Sequence, residues 1–385
     1  MNSRRTFLKT LPAFVSLASL PKWAQADSGG NTISIPGEDG MIVRSARFFD
    51  LETPVDYLNT WLTPVPHFFV RNHMHEPIEL DAGTWHLSIG GEVEKPLTLS
   101  FKDLSKFDTH SVVNTLECAG NGRGFQRPQV PGIQWGKGAV STAKFSGPRL
   151  RDVLEKAGVK PSGKHVMFRG LDEVPGKVPP FIRSIPIEKA IDSDTLLATH
   201  MNGAVLTKHH GFPARALVPG WIGAASCKWI TEIKILDSEF VGNFMSPGYR
   251  QPNQPVKPGE AVKPEDTHPV TGLSVKSVIV GPLDGSQVKP GQIAVHGAAW
   301  AGEANIVKVE VSTDGGATWK MATLGHEQAR YTWRLWRHEF TAKSGDHAIL
   351  SRATDSKGRV QPEAAVWNPS GYLYNAIDRV KIHVA

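Results

Sequence analysis

Apolar and polar residues alternate in short runs along most of the chain, and helical spacing is rare. Alternation over 85–93, 97–99, 111–117 and 165–170 predicts strands that end in glycine or polar turns. The run Phe68-Phe69-Val70 predicts a short edge strand that ends in Arg71, Asn72 and His73. Residues 150–157 carry apolar side chains at i, i+3 and i+4 and stop at Gly158, the pattern of an amphipathic helix with its C-terminal signal. Two shorter helices are expected, one from Phe101 with Ser100 as N-cap and one over 184–190 with Ser184 as cap and Pro186 in the first turn.

Beyond residue 270 the pattern shifts to evenly spaced strands at 274–280, 292–297, 306–312 and 379–384, with an Asp314-Gly315-Gly316 turn leading into 318–321. About seven strands in about 115 residues predict an immunoglobulin-like sandwich. It carries no catalytic constellation, so Trp333, Trp336 and Trp367 are expected in a core or an interface. Six prolines between Pro247 and Pro269 read as an extended connector. The expected division is therefore a leader at 1–26, a first domain at 27–250, a Pro-rich linker at 251–270 and a second domain at 271–385.

Composition adds bounds. The chain has 385 residues, long enough for two domains with substantial cores. The formal net charge is +6, but Arg4, Arg5, Lys9 and Lys22 lie in the first 26 residues, which hold no acid. Removing these four from 43 leaves 39 basic residues against 37 acidic ones, no footprint for nucleic acid. Ser3-Arg4-Arg5-Thr6-Phe7-Leu8-Lys9, an apolar run from Leu11 to Leu20 and Ala24-Gln25-Ala26 form the pattern of a twin-arginine export signal with a cleavage site. That route carries folded proteins, so a cofactor inserted before export and a periplasmic location are expected. The apolar run is too short to span a bilayer, and no membrane span is expected after cleavage.

The chemistry gathers around Leu116-Glu117-Cys118-Ala119-Gly120-Asn121-Gly122-Arg123-Gly124-Phe125. A thiolate is a soft metal ligand, and the Arg123 guanidinium suits an oxyanion. Taken alone, Cys118 also reads as a buried structural cysteine beside a glycine-rich turn. A second cluster runs from His209-His210-Gly211-Phe212-Pro213-Ala214-Arg215 to Ser226-Cys227-Lys228-Trp229. Zinc does not fit, because there is no CxxC, no HExxH and no second cysteine at ligand spacing. A Cys118–Cys227 disulfide is the plain alternative in an exported protein.

Together, Phe-Phe-Val-Arg-Asn-His, Cys-Ala-Gly-Asn-x-Arg, His-Gly-Phe-Pro-x-Arg and Ser-x-Lys-Trp, in that order, resemble the sulfite oxidase family of molybdenum enzymes. The resemblance implies an α+β molybdopterin-binding domain of the sulfite oxidase type, followed by a sandwich that mediates homodimer contact. It implies a molybdopterin-type cofactor with one molybdenum per chain, whose metal takes the thiolate of Cys118. It places Asn72, His73, Asp172, His210, Arg215, Ser226 and Lys228 around the cofactor. Arg71, His73, Arg123 and Tyr249 fall at the substrate, and Cys227 becomes a bystander.

One departure is that some vertebrate-type members carry a lysine shortly before the tryptophan that corresponds to Trp135, where this chain has Pro131. No haem domain and no CxxCH are found, so electrons are expected to leave to a separate acceptor such as a c-type cytochrome. The expected activity is oxidation of sulfite to sulfate. A sulfane dehydrogenase acting on carrier-bound sulfur is the alternative within the same chemistry, and a metal-free exported binding protein is the alternative outside it.

Overall fold

The computed structural model describes residues 40–385; the leader expected at 1–26 lies outside the described residues. The first domain is built on a five-stranded sheet in the order Leu97–Ser100, His86–Gly91, Ile230–Leu236, His165–Gly170, Ile182–Pro186. Only the central pairing of Ile230–Leu236 with His86–Gly91 is parallel. Helix Leu150–Ala157 buries Leu150, Val153, Leu154 and Ala157 in the core of this sheet, beside Leu87, Phe168 and Ile233. Each large apolar side chain removed from water there contributes about 1.5–3 kcal/mol. Gly158 ends the helix in the left-handed conformation at φ +70°. Ser100 and Asp103 form a reciprocal capping box at the helical turn Phe101–Leu104.

A second sheet pairs Thr109–Glu117 along its whole length with Val140–Pro148. The pairing continues one step beyond the strand, where the Cys118 amide donates to the Ala139 carbonyl at 2.9 Å. Cys118 is thus fixed at the end of a nine-residue strand rather than carried on a free loop.

Three expectations are corrected. Ser184 does not cap a helix: it lies within strand Ile182–Pro186, and the helical turn Ile187–Ala190 starts after Pro186. Two flanking isoleucines and pairing with His165–Gly170 outweigh the capping signal. Phe68-Phe69-Val70 is not a ladder strand. Val70 makes a single antiparallel bridge to Leu51, and all three side chains are buried. The Pro-rich connector is not simply extended, because Arg250–Pro252 pairs antiparallel with Thr267–Pro269 and brings its two ends together.

The second domain is a sandwich. One sheet runs Lys276–Gly281, Gly291–Trp300, Arg334–Ala342, Thr323–Leu324. The other runs Gln287–Val288, Asp378–Val384, Gly345–Asp355, Ile306–Ser312, Lys320–Met321. The inner faces enclose Val295, Val309, Ile349 and Val380. Trp333 and Trp336 are buried, while the half-buried Trp367 donates its Nε1 to the Pro128 carbonyl of the first domain.

The two domains meet around Glu117. Its buried carboxylate accepts from Lys276 Nζ at 2.6 Å and from Trp300 Nε1 at 2.8 Å, both in the sandwich. Asn121 Nδ2 supplies a third bond at 2.9 Å from the Cys118 loop itself. Backbone links run alongside: Thr115 donates to the Tyr331 carbonyl, and Leu373 donates to the Ala119 carbonyl. Lys276→Met leaves the Glu117 charge buried and unpaired, so it lowers stability by about 3–5 kcal/mol, read by thermal or denaturant unfolding. Glu117→Gln combined with Lys276→Met recovers most of that loss, because no buried charge is stranded.

Candidate active site

A cleft opens between the Cys118 strand end, the Phe68–His73 segment, the Asp172 loop and the 209–229 segment. Its lining mixes apolar and aromatic side chains with a few convergent polar and charged groups, as small-molecule and cofactor sites do. Cys118 and Cys227 both line it, and both are free thiols. The disulfide alternative is therefore excluded. Burial pushes both thiols up, Cys227 to about 12, while Arg71 and Arg123 pull Cys118 back down. Arg183 and Arg215 pull Cys227 down in the same way.

Asn72 is the hub of one wall. Its Nδ2 donates to the Phe48 carbonyl at 2.7 Å and to Glu76 Oε1 at 2.9 Å, and its Oδ1 accepts from Lys228 Nζ. Lys228 also donates to the His209 carbonyl at 2.7 Å, and burial lowers its pKa to about 8. Arg71 Nη1 pairs with Asp50 Oδ1 at 3.1 Å, and Asp50 also accepts from the Asn72 amide. Glu76 pairs with His209 Nδ1 at 2.9 Å.

A second part of the lining is aromatic. Tyr249 Oη lies 2.6 Å from His73 Nε2, and the His73 ring stacks on Phe181 with centroids 4.3 Å apart. Burial, then Arg71 and Arg183, hold the His73 pKa well below that of a free imidazole. The ring is therefore neutral, and its Nε2 shares a hydrogen bond with the Tyr249 hydroxyl. Burial likewise raises the Tyr249 phenol, which stays protonated. Tyr249 and Trp229 both sit in left-handed backbone, at φ +57° and +52°. For bulky residues that costs about 1–3 kcal/mol each, and two such outliers on one cleft mark a site the fold holds in place.

At the inner end, Arg215 donates to the carbonyls of His210 and Ser226 at 3.0 and 2.9 Å, and its Nε is buried without a partner. Burial lowers its pKa to about 10 and that of His210 to about 3. His210 Nε2 lies 3.3 Å from the Val65 carbonyl, and Ser226 Oγ accepts from the Val218 amide.

Comparison with known proteins agrees with this layout. Residues 73–244 match the family described as oxidoreductase molybdopterin binding domain, and residues 267–385 match the Mo-co oxidoreductase dimerisation domain. The chain is 31% identical over 376 residues to sulfite oxidase of Arabidopsis thaliana, covering 91% of this chain and 95% of that protein. It is 38% identical over 360 residues to mitochondrial sulfite oxidase of Macaca fascicularis, covering 89% of this chain and 66% of that protein. Among solved structures, it superposes on the sulfane dehydrogenase SoxCD from Paracoccus pantotrophus with a TM-score of 0.75 at 30% identity, covering 87% of each chain. The chain belongs to the sulfite oxidase family. It spans about two thirds of the length of the mammalian relatives it matches.

The cleft brings together Arg71, Asn72, His73, Cys118, Asp172, His210, Arg215, Ser226, Lys228 and Tyr249. Arg123, expected as a wall of the pocket, is not among the lining residues. Its guanidinium donates to the carbonyls of Ser370 and Ile133 at 2.8 and 3.0 Å and stands over the Tyr372 ring. The glycines around it serve this packing. A Cβ on Gly120 would lie 2.6 Å from Arg123, and one on Gly122 would lie 2.7 Å from Tyr374. Cys227 moves from bystander to lining residue. His209, part of the second sequence cluster, had no separate role there, and Phe181, Asp50 and Glu76 carry no local signal that marks them.

The residues present fit the molybdenum cofactor that this family carries. Both thiols of the lining feel nearby arginines, and Arg215 and Lys228 line the cleft among carbonyl and amide partners, with Arg215 Nε buried and unpaired. Such a donor set suits a phosphate-bearing, soft-ligated group. Protein denatured without reductant is expected to titrate two free thiols per chain with a thiol reagent, whereas a disulfide would give none.

Proposed function

We propose that this protein is a periplasmic, molybdenum-dependent dehydrogenase that oxidises sulfite to sulfate and passes the electrons to a separate c-type cytochrome. The supporting observation is the cleft itself, whose lining holds Cys118, the Arg71 cation and the Tyr249–His73 pair. When bound, the cofactor supplies two-electron redox chemistry and the site of oxygen transfer. Sulfite and water then become sulfate, with release of two protons and two electrons.

The chain's own residues do the rest. Cys118 holds the metal as its thiolate, and Arg215, Lys228, His210, Ser226, Asn72 and Asp172 hold the organic part and its phosphate. Burial raises the Asp172 pKa to about 6, which allows it to donate to a ring nitrogen edge when protonated. Arg71, held charged by Asp50, attracts and orients the sulfite dianion. The Tyr249 hydroxyl is a donor that can turn from His73 to a substrate oxygen, and neutral His73 does not compete for the anion as a proton source.

The leader pattern supports export of the folded, loaded protein to the periplasm, and the match at 267–385 supports a homodimer. A second reading, sulfane dehydrogenase, is favoured by the SoxCD likeness, which covers both chains almost completely. Sulfite-dependent reduction of a cytochrome c by molybdenum-loaded protein supports the first reading. Turnover of carrier-bound sulfane without free-sulfite turnover replaces it with the second.

Two variants test the roles. Cys118→Ser is expected to lose turnover and the near-ultraviolet thiolate-to-molybdenum absorption, whereas Cys227→Ser keeps both; an active Cys118→Ser enzyme would refute the ligand assignment. Arg71→Gln removes a charge-assisted bond, so the KM for sulfite should rise about 10- to 100-fold in steady-state assays. A wild-type KM would take Arg71 out of the substrate pocket.

A further inference from the structure

Strand Ile182–Pro186 closes one edge of the five-stranded sheet, and its Arg183 is only 2% exposed. Nη1 donates to the Phe244 carbonyl, and the guanidinium carbon stands 4.8 Å from the centre of the Tyr249 ring. Nε is buried without a partner. Glu239 acts on it only weakly, and the weak acids beside it, Tyr249 and Cys227, are kept protonated by burial and lend no full negative charge. The contrast with the neighbouring cations is plain: Arg71 has Asp50, and Lys276 has Glu117.

A buried guanidinium is costly without a counter-charge, because no arginine escapes the cost by losing its proton. Here a carbonyl and a ring face are its only direct partners among the described residues, and the ring belongs to the cleft wall. Arg183 itself is not among the lining residues, so it stands one ring behind that wall. Its charge is felt at His73, where it ranks after Arg71 among the cations that disfavour protonation. An anion entering between Arg71 and Tyr249 would supply the missing negative charge.

We propose that Arg183 is a positioning residue for anionic substrate: it holds Tyr249 by its ring face and supplies the field in which the Tyr249 hydroxyl and Arg71 receive an oxyanion. This rests on the reading of the cleft as an oxyanion pocket. Because the effect is a field rather than a contact, it acts on product and substrate alike, and on any small inorganic oxyanion of the same charge.

The test uses molybdenum-loaded protein carrying Arg183→Gln, Arg183→Met or Arg183→Lys. Sulfate affinity is measured by calorimetry and sulfite kinetics by steady-state assay. Gln and Met should weaken sulfate binding and raise the KM for sulfite about 10- to 100-fold, with kcat changed less than about threefold, while Lys stays within about threefold of wild type. Sulfate binding by Arg183→Gln equal to wild type, or a wild-type enzyme that binds no sulfate, overturns the proposal. A Lys variant as weak as Gln also overturns it, because ring packing rather than charge would then be at work. Should both neutral variants fail to take up the cofactor, Arg183→Lys decides: sulfate affinity near wild type supports the charge, and a loss of tenfold or more overturns it. Sulfate binding that depends on Arg183 in an enzyme that does not turn over sulfite would refute the sulfite reading alone.

Discussion

The Glu117 carboxylate is the constraint on which the rest of this structure depends. It sits one residue before Cys118, is almost wholly buried, and takes bonds from Lys276 and Trp300 of the sandwich and Asn121 of the turn that follows. A buried carboxylate tolerates little displacement, since every lost bond exposes a charge to a low-dielectric interior. The cysteine thiol is thereby located by both domains. Arg123 extends the same junction through the Ser370 carbonyl and the Tyr372 ring, and Gly120 and Gly122 let those side chains close on the turn. The sandwich therefore acts on the site as a brace, whatever further contact it makes as a dimerisation domain.

Around the cleft, acids support the donors that line it. Asp50 pairs with Arg71, Glu76 shares a hydrogen bond with His209, and Asn72 links Glu76 to Lys228. The result is a pocket receptive to anions at two levels. Arg215 and Lys228 lie where the organic part of a cofactor would be held, and Arg71, backed by Arg183, lies beside the Tyr249–His73 pair. Because His73 is kept neutral by burial and by its cationic neighbours, its bond to Tyr249 fixes the phenol without adding a mobile proton to the pocket.

Much of this was legible along the chain because motif residues keep their chemistry close together. Arg71, Asn72 and His73 are consecutive, and so are Ser226, Cys227 and Lys228. The strand ending at Cys118, helix Leu150–Ala157 and the sandwich followed from periodicity, because each buries one face against its neighbour. Where expectation failed, a long-range partner had outweighed a local signal. Ser184 carries a helix cap's chemistry, yet strand pairing with His165–Gly170 claims its backbone. Phe68, Phe69 and Val70 have strand-forming side chains, but they are buried with only one bridge among them.

The sequence by itself determined the family, the two-domain order and the donor set, because those depend on residue types and their local spacing. Tertiary structure alone decided which charges meet. Glu117 and Lys276 are 159 residues apart, Tyr249 and His73 are 176 apart, and Arg183 reaches Tyr249 only because a sheet edge carries it there. It also tied Arg123 to the domain junction, with its charge still felt at Cys118, and brought Cys227 into the cleft lining. The physical reason is that burial sets the value of a charge or a thiol. Burial is a property of everything packed around the Cys118 turn, and no single stretch of sequence contains it.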